Sequence, residues 1–494
     1  MNPDLLRGER LGKLLPESID FTESTSFDMI ILEPVIKINM AHMAMLTKKG
    51  IVNKSHSSDC LKSLSRIPFN LTLDPSLEDV HMNVEAYVSK DIGNLSGGQL
   101  NLAKSRNDQV STAIRMALRD YLLKIITSIT KVQTIILDKS LKYLDTVMPG
   151  YTHLQHAQPV TLAHHLIAYH DALQRDCDRL MECFNRVNMS PLGAAAMAST
   201  GINIDRDFTA LLLGFDGLAE NSIDAVSSRD FASEAVSDLA LTMTDLSRAV
   251  EEMVIWSSFE FGIMDIADGY ASTSSIMPQK KNAVVAELIR GKSSTVYGDM
   301  VAMITMMKAL PYSYNIDMQQ LTPHLWNSCK ITLSSLTLFG NMLKESSFNE
   351  KRLAYLAESG FITATDLADY LAVEHRIPFR TAHMIVGKIV RKAMEEKRTF
   401  KETILDNLSK TIKDETNMRI KLSEKEIDRI LDPKRSVDSR KTKGGPNKIM
   451  VKNMINNRKK KLSKTKNWAS SKKRQLKSSE DKLKNTVDEI VGGE

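Results

Sequence analysis

The chain has 494 residues, of which 42% are hydrophobic and 26% charged, with four cysteines and a formal net charge of +6. That length supports a large core and two or three domains, and the composition is that of an ordinary globular protein rather than a small disulfide-stapled one. The charge is uneven: residues 448–494 hold fourteen Lys/Arg against five Asp/Glu, a net of +9, which leaves the rest of the chain at about −3. Cys60, Cys177, Cys183 and Cys329 show neither metal-ligand spacing nor a disulfide framework, and Met1 to Lys13 has no apolar core for a signal peptide. A cytoplasmic location is therefore expected. No uninterrupted apolar run is long enough to span a bilayer.

Taken in order, residues 1–103 mix short periodic segments with turns. Pro34 interrupts the apolar stretch Met29 to Ile38, so a helix is expected to begin late or to kink there. Glu78 to Glu85 reads as the start of another helix with acids in its first turn. The connector from Gly93 to Gly98 lacks the glycine spacing and Lys-Ser/Thr ending of a phosphate loop.

Residues 104–355 are the most regular. Val110, Ile114, Leu118, Tyr121, Ile125, Ile129, Val132 and Ile136 recur every three or four residues, which predicts one long helix. A second is predicted through Leu162, Leu166, Tyr169, Leu173, Cys177, Leu180 and Phe184. A third carries Phe231, Ala235, Leu239, Met243, Leu246, Val250 and Met253, and a fourth runs from about Ala283 to Met307. Helices this long point to a bundle, and strand-like alternation is scarce. Residues 356–447 read as a small helical domain, with helices starting near Thr363 and Pro378. The basic segment 448–494 reads as an irregular amphipathic helix or a solvated extension, serving solubility rather than nucleic-acid binding.

Three polar clusters sit on this frame. Ser105-Arg106-Asn107-Asp108-Gln109 opens the first long helix. It reads either as simple capping or as a carboxylate grip, with the helix N-terminus and the Arg106 fork as donors. Gly150 to Pro159, containing Thr152, His153 and His156, is read as a polar connector in which a histidine can titrate near neutral pH. Ser272 to Asn282 carries paired serines, Pro278, Lys280 and Lys281, with Glu287 in the helix that follows. Such a loop can supply a proton acceptor beside a carboxylate clamp. A carboxylate paired with an imidazole from another helix would hold that imidazole in its charged form.

Together these segments resemble the argininosuccinate lyase family of the fumarase/aspartase superfamily, over residues 24–446. The specific pieces are Ser105 to Val110, Gly150 to Pro159 and Ser274 to Asn282, supported by Ser190 to Ala194, Asp205-Arg206, Asn221 to Phe231, and Leu431 to Pro446. The resemblance implies an all-α fold of three helical domains and a homotetramer with a twenty-helix core, each active site drawing on three subunits. It implies argininosuccinate as the substrate, cleaved to fumarate and arginine without metal or organic cofactor. Ser274 would be the base and His153 the acid, with Glu287 holding His153 and Lys280 stabilising the serine alkoxide. Ser105, Asn107, Thr152, Lys280 and Asn282 would hold the fumarate half with help from Arg106, and Ser24, Tyr314 and Gln319 would face the arginine half.

The chain departs from the family pattern at several points. Thr273 stands where a glycine is usual before the serines, Ala283 replaces a proline after Asn282, and Leu5-Leu6-Arg7-Gly8-Glu9 replaces a Trp-Gly-Gly-Arg-Phe signature. Ile316 and Thr322 stand where Arg and Lys are usual, and Val35 replaces an acid. The alternatives are a lyase for another succinyl-amine, such as adenylosuccinate, and a non-catalytic structural protein on the same fold.

Overall fold

A computed structural model describes residues 15–492; the Leu5–Glu9 departure lies outside them. Five long helices form the body: Arg106–Lys142, Leu162–Val187, Asp230–Ser257, Val284–Met307 and Leu321–Glu345. The first three follow the predicted stripes, and the fourth falls within its predicted bounds. The fifth is not among the helices read from the sequence. Its apolar positions Leu325, Cys329, Leu336, Phe339 and Leu343 are helically spaced, but buried Ser328, Thr332 and Ser335 share the face and blur the stripe. It approaches the first helix closely: a Cβ at Gly340 would lie 3.0 Å from Val132 Cγ2.

Successive helices run in opposite directions. Arg115, near the start of the first helix, donates to the carbonyls of Arg186 (2.8 Å) and Val187 (3.2 Å) at the end of the second. Arg229, just before the third, donates to Ser111 Oγ at 3.4 Å. At the opposite end of the bundle, His165 and Glu252 approach to 2.7 Å, and Lys139 donates to the Ser346 carbonyl at 2.6 Å. The bundle thus has a Ser105 end and a His153 end.

The helix expected to respond to Pro34 begins at Leu32 and runs to Lys48. Pro34 lies in its first turn, where no N–H is missed. The predicted start near Glu78 becomes the helix Val80–Ile92, capped by Asp79 through the Met82 N–H at 2.8 Å. The connector Gly150 to Pro159 is not a loop but an antiparallel hairpin of Val147–Thr152 and Gln155–Thr161. Pro149, Gly150 and Pro159 and a register shift between Pro149 and Tyr151 hide its alternation. A second apolar core, including Leu371, Ile385, Ile389, Leu408, Ile412 and Ile427, gathers the helices Ala364–Glu374, Phe379–Glu396, Phe400–Thr416 and Glu424–Leu431.

The basic terminal segment is neither irregular nor loose. Lys448–Gly492 is one 45-residue helix laid along the body. Val451, Ile455 and Leu462 pack against Leu137, Leu144, Ala163 and Ile167, and Ala469, Leu483 and Val487 join the main core. Its inward cations meet body acids: Lys448 and Asp145 at 2.6 Å, Lys461 and Asp178 at 2.7 Å, Lys472 and Asp216 at 2.9 Å. Among the described residues no single helix is long and apolar enough to cross a membrane.

Half-exposed ion pairs contribute little, whereas buried aliphatic packing contributes several kcal/mol. Ile455→Ala is therefore expected to lower stability by about 2–5 kcal/mol, and Lys461→Ala by no more than about 1 kcal/mol, read from denaturant unfolding of the two variants.

Candidate active site

At the Ser105 end lies a cleft of ≈ 330 Å³ whose lining includes Ser24, Arg106, Asn107, Tyr314 and Gln319, five of the residues expected to contact substrate. The helix start positions two of them. Ser105 caps the helix by accepting the Asn107 N–H at 3.3 Å, and Asp108 Oδ1 returns a bond from the Ser105 N–H at 3.0 Å. Asp108 Oδ2 also accepts the N–H groups of Gly193 and Ala195, each at 2.9 Å, and Asn107 Nδ2 donates to the Ala196 carbonyl at 3.1 Å. These bonds lock the 193–196 turn to the helix start. Burial nonetheless pushes the Asp108 carboxyl up to about 6.

Capping is thus real for Ser105, and one nitrogen of the Arg106 fork is already engaged. Its Nη1 lies 2.8 Å from Asp79 and 3.4 Å from Glu78. Ser24 Oγ donates to Asp28 Oδ2 at 2.7 Å, and the Val80 N–H reaches the same oxygen at 3.1 Å. Even so, burial raises the Asp28 carboxyl to about 7. Gln319 Nε2 donates to the Thr22 carbonyl at 2.9 Å, tying the 316–320 turn to the Ser24 segment. Burial raises the Tyr314 hydroxyl above its usual range against the opposing pull of Arg229, and holds His81 neutral, down at about 4.

Asp28, Asp79, His81 and Arg229 line this cleft and were not among the expected site residues. Asp79 and His81 read as an ordinary helix start, and nothing local sets Asp28 apart. Arg229 stood only within a supporting segment. Ile316 and Thr322, two of the family departures, also line the cleft.

His153 is elsewhere, exposed at the tip of the hairpin beside Thr152. His153 and Leu154 form a two-residue turn with φ of 55° and 57°. Side chains there cost roughly 1–2 kcal/mol per residue, and the turn matches the twist of its strands.

The serine loop is a third site. Thr273 pairs with Lys281 in a two-residue antiparallel ladder and its φ is not positive, so the missing glycine is not required. Ser274 Oγ accepts the N–H groups of Ile276 at 3.3 Å and Met277 at 3.1 Å. Two converging backbone donors favour negative charge on that oxygen. They come from the loop itself; the following helix begins only at Val284. Lys281 is held by Asp265 at 2.9 Å and Asp268 at 2.8 Å, and those two bonds raise its ammonium above the usual range. Lys280 and Glu287 are exposed and Asn282 is half-buried.

Within one chain the cleft stays apart from the hairpin and the serine loop, which both lie at the His153 end of the bundle. The helix joining the cleft to the hairpin has 37 residues, roughly 55 Å at 1.5 Å per residue. The helix between the serine loop and Tyr314 has 24, roughly 36 Å. No hydrogen bond or ion pair among the described residues joins His153 to Glu287 or to Ser274.

Comparison with known proteins identifies the family. A family profile described as lyase matches residues 17–298, and one described as argininosuccinate lyase C-terminal matches residues 361–438. The chain is 45% identical to the argininosuccinate lyase of Methanocaldococcus jannaschii, over 90% of this chain and 91% of that one. It is 42% identical to that of Methanothrix thermoacetophila over 99% of both. Among solved structures, an EDDS lyase in complex with formate superposes with a TM-score of 0.88 at 31% identity, covering 98% and 97% of the two chains. The class II fumarase of Schistosoma mansoni shares the fold, with a TM-score of 0.72 at 18% identity over 85% of this chain and 93% of that one. The chain belongs to the argininosuccinate lyase family.

Proposed function

We propose that the protein is a carbon–nitrogen lyase that eliminates fumarate from argininosuccinate and releases arginine, the last step of arginine biosynthesis. The relatives with 42–45% identity over nine-tenths or more of the chain carry that name. The observation that bears most on mechanism is the pair of N–H groups on Ser274 Oγ. A serine is a poor base until its alkoxide is stabilised, and these donors act where the charge would form. Ser274 then takes the proton beside the succinyl carboxylate, and His153 protonates the departing guanidino nitrogen. Lys280 adds charge beside Ser274, and Glu287 orients His153 from another subunit. Ser105, Arg106, Asn107, Thr152 and Asn282 hold the fumarate half; Ser24, Tyr314 and Gln319 hold the arginine half.

These roles call for sites shared between copies of the chain, because rigid helices separate the cleft from the hairpin and the serine loop, and a homotetramer is the assembly we propose. Leu241, Leu288, Val301, Ile304 and Leu338 are exposed on three of the bundle helices, which supports burial of that face against other copies. All four cysteines are free and buried, in keeping with a reducing cytoplasm.

With argininosuccinate as substrate, fumarate absorbance should appear together with arginine by mass spectrometry, and adenylosuccinate should yield none. Ser274→Ala should lower kcat by about 10²–10⁴ while assembly is unchanged. Inactive His153→Ala and inactive Asn107→Ala chains, refolded together, should regain part of the activity, since some mixed sites receive both intact residues; no recovery would count against composite sites. Asp28 titrates near 7 folded and near 3.8 unfolded, so the unfolded chain loses this proton first and stability falls as pH rises across that window. Asp28→Asn should remove the fall, and its advantage in melting temperature over the parent protein should grow from pH 4 towards pH 7, as calorimetry would register.

A further inference from the structure

An exposed histidine can donate a proton in a defined direction only if its backbone is held, and the tip that carries His153 is a conformation that relaxes when its strands slip. Just behind the tip, Thr152 pairs with Gln155, and behind them Tyr151 pairs with His156. The Tyr151 hydroxyl lies 3.4 Å from His156 Nε2, and the two rings meet edge to face with centroids 5.2 Å apart. Each partner is also braced from outside the hairpin. Tyr151 lies against Phe261, 5.7 Å between centroids, and the Phe261 backbone is fixed by Arg352 Nε donating to its carbonyl at 2.9 Å. Gly360 closes over the other edge of His156. A Cβ there would stand 2.6 Å from Nδ1, so only glycine permits the approach.

We infer that His156 is a positioning residue for His153: the Tyr151–His156 pair, clamped between Phe261 and Gly360, keeps the two strands in the register that points the tip. This rests on the reading of His153 as the proton donor. His156 lies one rung behind the Thr152–Gln155 pair and acts only through the hairpin. Loss of the clamp should therefore reduce the fraction of productive geometry without weakening ground-state binding, which appears in kcat rather than KM.

The test uses full-length protein carrying His156→Ala, His156→Gln or Tyr151→Phe, with argininosuccinate kinetics and amide hydrogen exchange at residues 152–155. His156→Ala should lower kcat about tenfold or more with KM changed less than about twofold, and should speed exchange at His153 and Leu154. His156→Gln, whose side-chain amide can still meet the Tyr151 hydroxyl, should recover most of the lost kcat. An unchanged kcat in His156→Ala, a loss expressed mainly in KM, or no recovery with Gln would overturn the inference. If His156→Ala fails to assemble, Tyr151→Phe decides: a fall in kcat alone supports the clamp, and an unchanged kcat overturns it. A parent protein that releases no fumarate would instead overturn the assigned activity, and hairpin exchange in the variants would still decide whether His156 holds the tip.

Discussion

Helix rigidity is the constraint from which the rest follows. A helix buried along its length cannot bend to bring its two ends together, so whatever chemistry begins at Ser105 is held roughly 55 Å from whatever follows Lys142. The Arg106–Lys142 helix is buried along most of its length, from Asp108 to Ser140, against the helices Leu162–Val187 and Leu321–Glu345 and the terminal helix. Its first turn opens a cleft, and the chain emerging past its last turn forms the hairpin. The serine loop is separated from Tyr314 in the same way by the helix Val284–Met307. A site made from all three places has to be assembled from several copies of the chain.

Backbone N–H groups converge on two side-chain oxygens, one of Asp108 and one of Ser274. Asp108 is buried, yet it is satisfied by three N–H groups that fix the turn carrying Ala195. Ser274 receives two N–H groups from its own loop. In both cases the donors are part of the main chain and need not reorganise when charge appears. Asp28 is different. One hydroxyl and one N–H are too little to offset its burial, so its carboxyl is raised to about 7, beside Ser24 in the lining of the cleft. A neutral acid there can donate a hydrogen bond as well as accept one.

The terminal helix shows how far net charge can mislead. Its excess of lysine suggests solvation or a polyanionic partner, but alternate turns carry Val451, Ile455, Leu462, Ala469, Leu483 and Val487 into the body. The acids it meets belong to the same chain. Trp468 sets its ring edge-on to Phe184, 5.3 Å between centroids, at the middle of the seam.

Much was determined by the sequence alone. Apolar spacing of three and four specified three of the five bundle helices, because the periodicity of a helix is local, and a fourth was placed by its bounds. The Ser105 cluster, the His153 segment and the serine loop were each identifiable from residue type, as were Ser24, Tyr314 and Gln319 through resemblance. Only the tertiary structure decided that Arg106 is engaged by Asp79, that Asp28, His81 and Arg229 share the cleft, and that Gly150 to Pro159 is a hairpin held by residues 261 and 360. Those outcomes depend on burial and on segments far apart in the chain, and neither leaves a local periodic trace. The same holds for Ser274: its side chain was legible as a hydroxyl, but the two N–H groups that converge on it exist only once the loop has folded back on itself.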